Sequence, residues 1–277
     1  MNFHSDEWII NRVREHYNEA LEYFPADRIV GIFYQGSGNY GLDYENSDVD
    51  TKLIVTPTFK DIAMNKQAVS TTHIRGNEEH IDFKDIRLYI QTFRKQNLNF
   101  LEILFTKYCI VNPLYQKEWD RLVAAREAIA RYSPVQAIKS MKGIAKEKYF
   151  AMEHHYPSRM DWINRFAYDP KQLHHLLRVE EYIERYINGE LYQNCLISNK
   201  AEYFTNVKIG YHTLSEARII ADNAMKHIEE MCDKFLKTVD AKVDTAVDEL
   251  FDEVQYAIVK IAIINELLNK ENGNEKI

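Results

Sequence analysis

The segment Gly36-Ser37-Gly38-Asn39-Tyr40-Gly41-Leu42-Asp43-Tyr44-Glu45-Asn46-Ser47-Asp48-Val49-Asp50 decides how the chain is read. An apolar run, Ile29 to Tyr34, leads into it, and a second, Thr51 to Val55, leads out. The pattern is strand, tight glycine turn, short helix or loop, strand. Residues two apart in a strand share a face. Asp48 and Asp50 therefore project side by side, and Val49 between them points to the core. Adjacent carboxylates repel unless a cation lies between them. Oxygen-only donors suit a hard divalent ion such as Mg²⁺, which is often held by one or two carboxylates plus substrate phosphates. Backbone N–H groups of the Gly36-Ser37 turn suit a phosphate.

Composition bounds what surrounds this segment. With 277 residues, one large or two modest domains are expected. A hydrophobic content of 45% and a charged content of 28% describe an ordinary globular chain. Cys109, Cys195 and Cys232 match no metal or redox spacing and are expected to be free thiols in a reducing compartment. No secretory pattern is visible at Met1 to Ile10, and no run reaches the roughly 18 apolar residues of a membrane span. A cytoplasmic location is the expectation. The net charge of −7 argues against broad non-specific nucleic-acid binding. The charge is uneven, however. Pro134 to Arg178 holds eight Lys/Arg against four Asp/Glu, whereas Asp222 to Ile277 holds seven Lys against thirteen Asp/Glu. A basic middle of this kind is compatible with one local anionic ligand.

Taken in order, residues 5 to 24 predict an amphipathic helix through Trp8, Ile9, Val13, Tyr17 and Leu21, closed by Pro25. Strands follow at Arg28 to Tyr34 and Asp50 to Thr56, with a short helix or turn expected over Gly38 to Tyr44. Lys52 shares the face of Asp48 and Asp50, either near a phosphate or as a solvated edge lysine. Val69 to Ile74 and Glu79 to Ile86 predict a hairpin around Arg75-Gly76-Asn77-Glu78. Asp85 to Phe105 predicts a helix interrupted at Asn97 to Asn99, and Cys109 to Tyr115 a hinge. Beyond the hinge helices are expected at Trp119 to Arg131, Pro134 to about His155, Asp161 to Phe166, Asp169 to Asn188, Leu214 to Val239 and Val243 to Leu268. Residues 190 to 213 are expected to be irregular and Asn269 to Ile277 frayed.

Phe33-Tyr34-Gln35-Gly36-Ser37, followed after about ten residues by Asp48-Val49-Asp50, resembles the nucleotidyltransferase signature of the DNA polymerase beta superfamily. Tyr40-Gly41-Leu42 and Ser47-Asp48-Val49-Asp50 look closest to its bacterial and phage predicted nucleotidyltransferase group, which includes RNA-ligase-associated nucleotidyltransferases. The resemblance implies an α+β fold. A catalytic domain with a mixed sheet flanked by helices spans residues 1–110, and an all-α domain, 111–277, closes the cleft. It implies Mg²⁺ or Mn²⁺, two ions held by Asp48, Asp50 and a third carboxylate on a later strand. Asp82, in Ile81-Asp82-Phe83, takes that place; Asp85 is its rival, on the opposite face by the period of two. The group's segment around Asn97 to Phe105 is matched only in part, with Gln96 where glycine is common and Leu98 where proline is common.

The same group looks similar over Tyr168, Asp169, Lys171, His175, Arg178, Gly189 and Glu190. Lys171, His175 and Arg178 lie at i, i+4 and i+7, one helical stripe of three cationic or protonatable groups able to face a triphosphate. Taken alone, the stripe reads as a solvated basic face, with His175 hydrogen-bonded structurally; the resemblance reverses that reading. Lys139, Lys142 and Lys146 form another stripe, explained by solubility or by contact with a nucleic-acid backbone. His154-His155 lack a third ligand nearby. The implied activity is transfer of a nucleoside monophosphate from an NTP to an acceptor hydroxyl, with Gly36 and Ser37 gripping the phosphates. RNA is the favoured acceptor, tRNA included. Alternatives are a protein-modifying, AMP-transferring antitoxin-like enzyme and an inactive module that binds NTP or nucleic acid. The sequence leaves open which NTP is used and the oligomeric state.

Overall fold

The computed structural model describes residues 3–45, 47–76 and 79–272 of the chain. The fold is α+β, with one mixed five-stranded sheet and a large set of helices. The strands are β1 (Ile29–Gln35), β2 (Asp50–Val55), β3 (Ser70–Ile74), β4 (His80–Asp85) and β5 (Cys109–Val111), in the order β3-β4-β2-β1-β5. β2 and β4 run parallel; the other neighbouring pairs are antiparallel.

The period of two sorts the sheet into two faces. Ile32, Tyr34, Leu53, Val55, Ile81 and Phe83 pack on α1 (Asp6–Ala20), which contributes Ile9 and Val13. Val49 joins this cluster at 1% exposure, as the sequence requires. The opposite face turns Val30, Phe33 and Ile54 toward the helices, and it carries Asp50 and Lys52 on β2 and His80, Asp82 and Lys84 on β4. Trp8 and Tyr17, expected on the inner side of α1, lie at its rim, and His16 takes the buried position.

The helices follow as α2 (Phe59–Ala63), α3 (Ile86–Arg94), α4 (Leu98–Leu101), α5 (Gln116–Ala124), α6 (Arg126–Ala130), α7 (Pro134–Ala151), α8 (Met160–Phe166), α9 (Pro170–Ile187), α10 (Tyr192–Leu196), α11 (Ala201–Lys208), α12 (Leu214–Leu236) and α13 (Thr245–Asn272). α9 is the centre of this part, packed by α7, α11 and α12. α13 returns to the sheet side, against α3 and α5, and Asn265 Nδ2 donates to Asp27 Oδ2 at 3.0 Å. No described helix is long and apolar enough to cross a membrane.

Several expectations are corrected. The short helix over Gly38 to Tyr44 is only a 3-10 turn, Ser37–Asn39, because Gly41 takes φ 70° and breaks the helical path. The interruption expected at Asn97 to Asn99 falls slightly earlier, after Arg94, where Gln96 adopts φ 51° and the Asn97 side chain caps α4. The single helix over Trp119 to Arg131 is two, parted at Ala125. Residues 190–213 are not irregular but hold α10 and α11. The Glu127 carboxylate accepts from Tyr192 N at 2.7 Å and Gln193 N at 3.0 Å. That cap comes from about 65 residues away, where no local pattern reveals it. The expected hinge contains β5, whose register places Val111 opposite Gly31. The β3–β4 hairpin forms as expected, and its turn residues Asn77 and Glu78 lie outside the described residues.

Candidate functional site

The Gly36-Ser37 turn is tightly built. A Cβ on Gly36 would lie 2.7 Å from the Tyr34 hydroxyl, so no larger residue fits there. That hydroxyl accepts the Gly38 N–H at 3.0 Å. The backbone is stitched by Leu42 N to Ser37 O, and Ser47 Oγ accepts from Tyr44 N at 2.9 Å while lying 3.2 Å from Ser37 Oγ. The loop thus returns the chain to Asp48 beside the turn it left.

Asp48 is the more exposed of the two acids, and its nearest cation is Lys171 Nζ, 4.0 Å from Oδ2. Asp50 opens β2; its Oδ1 accepts from His80 N at 2.8 Å and lies 3.2 Å from His80 Nδ1. Burial, and then the charge of Asp48, push its pKa up. Adjacent carboxylates repel, and a divalent cation between them would relieve that repulsion. Among the described residues no three metal-ligating side chains converge. Asp48 and Asp50 would hold such an ion as a pair, leaving its other positions to phosphate oxygens and water, the usual habit of Mg²⁺.

The two rivals for the third carboxylate separate cleanly. Asp85 lies on the other face at 1% exposure, where it caps α3 through Arg87 N and pairs with the Arg87 guanidinium at 2.7 Å. Asp82 shares the face of Asp50 one strand over. Its carboxylate takes Lys52 Nζ and Thr72 Oγ1, both at 2.5 Å. Lys52 is not a solvated edge lysine: it is 4% exposed, beneath the Phe100 ring at 4.4 Å. Burial alone would raise the Asp82 pKa, yet the charge and hydrogen bond of Lys52 hold it below the usual carboxylate range. Asp82 does not line the cavity described next.

Gly36, Ser37, Asp48 and Asp50 form one wall of a cavity of about 250 Å³, and Lys171, His175 and Arg178 of α9 form the other. The stripe is anchored at its start by Asp169. This residue is buried as the N-cap of α9, accepts from Lys171 N at 2.9 Å and pairs with Arg159 at 2.7 Å. Arg178 lies 3.4 Å over the Tyr40 ring, a cation–π contact that aims the guanidinium at the turn. Burial keeps the His175 pKa well below its ordinary value. The stripe therefore offers two cations and one neutral imidazole.

Lys148, His174 and Lys208 line the cavity without a role in the sequence reading. Lys148 comes from α7, where Ile144 also faces the cavity, whereas Lys139 and Lys146 are exposed and Lys142 pairs with Asp233 of α12 at 3.0 Å. His174 hydrogen-bonds Phe204 O at 2.9 Å, and burial pushes its pKa down to about 3. Lys208, at the end of α11, is 8% exposed, with its ammonium 4.1 Å over the Tyr44 ring. No carboxylate among the described residues lies within ion-pair distance of it, and burial together with Lys171 lowers its pKa to about 8. Glu102 is 1% exposed behind the turn. The Gly36 N–H faces its carboxyl, Oε1 has no partner among the described residues, and burial raises its pKa to about 8. A basic residue in an expected loop gave no signal for Lys208, and packing accounted for Glu102 in the sequence. His154 and His155 lie exposed after α7.

Comparison with known proteins gives no relative: no family model matches the chain, and no curated protein matches it.

Proposed function

We propose that the chain is a metal-dependent nucleotidyltransferase of the polymerase beta type, with a catalytic domain over residues 1–110 and a helical domain over 111–277 closing the cleft. One observation carries this: residues 36–50 and residues 171–208, remote in sequence, supply opposite walls of one cavity with two carboxylates on one side and the cations Lys171, Arg178 and Lys208 on the other. A buried ammonium without a counter-ion is costly unless an anion arrives. Lys208, Lys171 and Arg178 suit the oxygens of a triphosphate.

Bound Mg²⁺ or Mn²⁺ would supply charge neutralisation at the phosphates and a lower pKa for the acceptor hydroxyl. Asp48 and Asp50 would hold that ion. Lys171, Lys208 and Arg178 fix the triphosphate so that the acceptor oxygen approaches the α-phosphorus opposite the pyrophosphate. The new P–O bond forms as the bond from the α-phosphorus to the β-phosphate oxygen breaks, pyrophosphate leaves, and the acceptor hydroxyl's proton passes to water. Asp82 stands on the acceptor side, and opening of its pair with Lys52 is what coordination there would require. RNA is the favoured acceptor and protein the alternative. Purified protein with each α-³²P-labelled NTP, Mg²⁺ or Mn²⁺, and RNA, tRNA, DNA or lysate protein tests this. Label transferred by the wild type and not by Asp48→Asn/Asp50→Asn supports it. Label absent from every acceptor, or present equally with the variant, contradicts it.

A further inference from the structure

Behind the aspartate pair lies a buried charged network that the proposed reaction does not use. Glu79, just before β4, is 5% exposed. Its Oε1 accepts the N–H of Val49 at 3.1 Å, the peptide between the two aspartates. Its Oε2 receives His16 Nε2 at 3.0 Å, Arg75 Nη1 at 2.9 Å and the Arg12 guanidinium. His16 is fully buried in α1, and its other nitrogen lies 2.9 Å from Thr51 Oγ1. With the proton on Nε2, His16 donates to Glu79 and accepts from the Thr51 hydroxyl.

This arrangement is local to one peptide. β2 begins at Asp50, so Val49 has no ladder partner and its buried N–H needs an acceptor from elsewhere. Glu79 supplies it, and the next residue, His80, binds the Asp50 carboxylate through its own N–H. Two consecutive residues thus grip both sides of the aspartate pair, one by the backbone and one by the side chain. A carboxylate taken out of water with two guanidinium groups contributes little net stability compared with an apolar filling. It does fix the rotation of the Asp48-Val49 peptide, and with it the separation of the two carboxylates.

We propose that Glu79 is a positioning residue that holds Asp48 and Asp50 at the separation at which they bind a divalent cation. The inference rests on the metal-dependent reading above. Partners that orient ligands typically change metal affinity 10- to 100-fold when removed.

The test is Mn²⁺ alone, titrated into the full-length protein and followed by the electron paramagnetic resonance signal of free Mn²⁺. Wild type, Glu79→Ala, Glu79→Gln and Asp48→Asn/Asp50→Asn are compared, each checked for fold by circular dichroism. Glu79→Gln keeps an oxygen for Val49 and is expected to bind within about threefold of wild type, while Glu79→Ala loses about tenfold or more. Should Glu79→Ala not fold, Glu79→Asp keeps the charge for the arginines but draws the carboxylate back from Val49, and the same loss is expected. Unchanged affinity in the folded Ala or Asp variant, with binding abolished in the double aspartate variant, overturns the role of Glu79 alone. Wild type that binds no Mn²⁺, or a double variant that binds equally well, overturns the metal-dependent reading with it.

Discussion

Lys52 Nζ lies 2.5 Å from Asp82 Oδ2, at the register position where parallel strands β2 and β4 set the two residues opposite each other. A carboxylate that the resemblance assigns to metal or acceptor chemistry is thereby neutralised by its neighbour. Lys52→Met would leave Asp82 partly buried beside an apolar stem. Removing one member of a fully buried pair costs about 3–5 kcal/mol. The Asp82 side chain is 30% exposed, so the expected loss is smaller, about 1–3 kcal/mol. Adding Asp82→Asn to Lys52→Met should recover part of it. Urea unfolding of the single and double variants measures both steps, and additive losses would refute the coupling.

Lys208 separates binding from stability. Its ammonium is buried with no carboxylate at ion-pair distance among the described residues, so Lys208→Met should leave the melting temperature unchanged or higher. If the cavity takes a triphosphate as proposed, the same change would remove a charged contact to phosphate, worth about 1.5–3 kcal/mol, and nucleotide affinity should fall about 10- to 100-fold. Calorimetric titration beside thermal unfolding checks the pair of outcomes. A loss of both affinity and stability would assign Lys208 to structure.

The α9 stripe should behave unequally. His175 is held neutral by burial, so His175→Gln forfeits at most a neutral hydrogen bond, about 0.5–1.5 kcal/mol. Arg178→Met removes a charged donor and the contact with Tyr40, and its effect on nucleotide KM should exceed that of His175→Gln by about tenfold.

Glu102 gives a pH signature. Burial raises its folded pKa from 4.5 to about 8. The folded state therefore binds the extra proton, and the stability this brings is fully present below 4.5 and lost as pH rises through about 8. Each unit inside that window removes up to about 1.4 kcal/mol. Glu102→Gln stays neutral, so its advantage over wild type in unfolding free energy should grow between pH 5 and 8. A difference independent of pH would show that Glu102 ionises normally in the fold.

The strand, glycine turn and Asp-Val-Asp were legible because the period of two is local: Val49 inside and the acids outside follow from spacing alone. The same period placed Asp82 and Asp85 on opposite faces, and the geometry then gave Asp85 to its helix cap. The Lys171, His175 and Arg178 stripe was legible from the helical repeat. What the sequence hid depends on distant partners. α10 is capped by Glu127 from another helix, β5 is three residues long and exists only by pairing with β1, and Lys208 reaches the cavity because α11 packs on α9. Glu79 reads as a hairpin residue until Val49 is found beneath its carboxylate.

Equilibrium titration of a non-hydrolysable NTP, with Mg²⁺ and then with the metal chelated, tests the central claim most directly. Metal-dependent nucleotidyl transfer predicts binding that requires the metal, disappears in Asp48→Asn/Asp50→Asn and weakens in Lys208→Met. Binding indifferent to both the metal and the aspartates, or no binding of any common NTP with either Mg²⁺ or Mn²⁺, would contradict it.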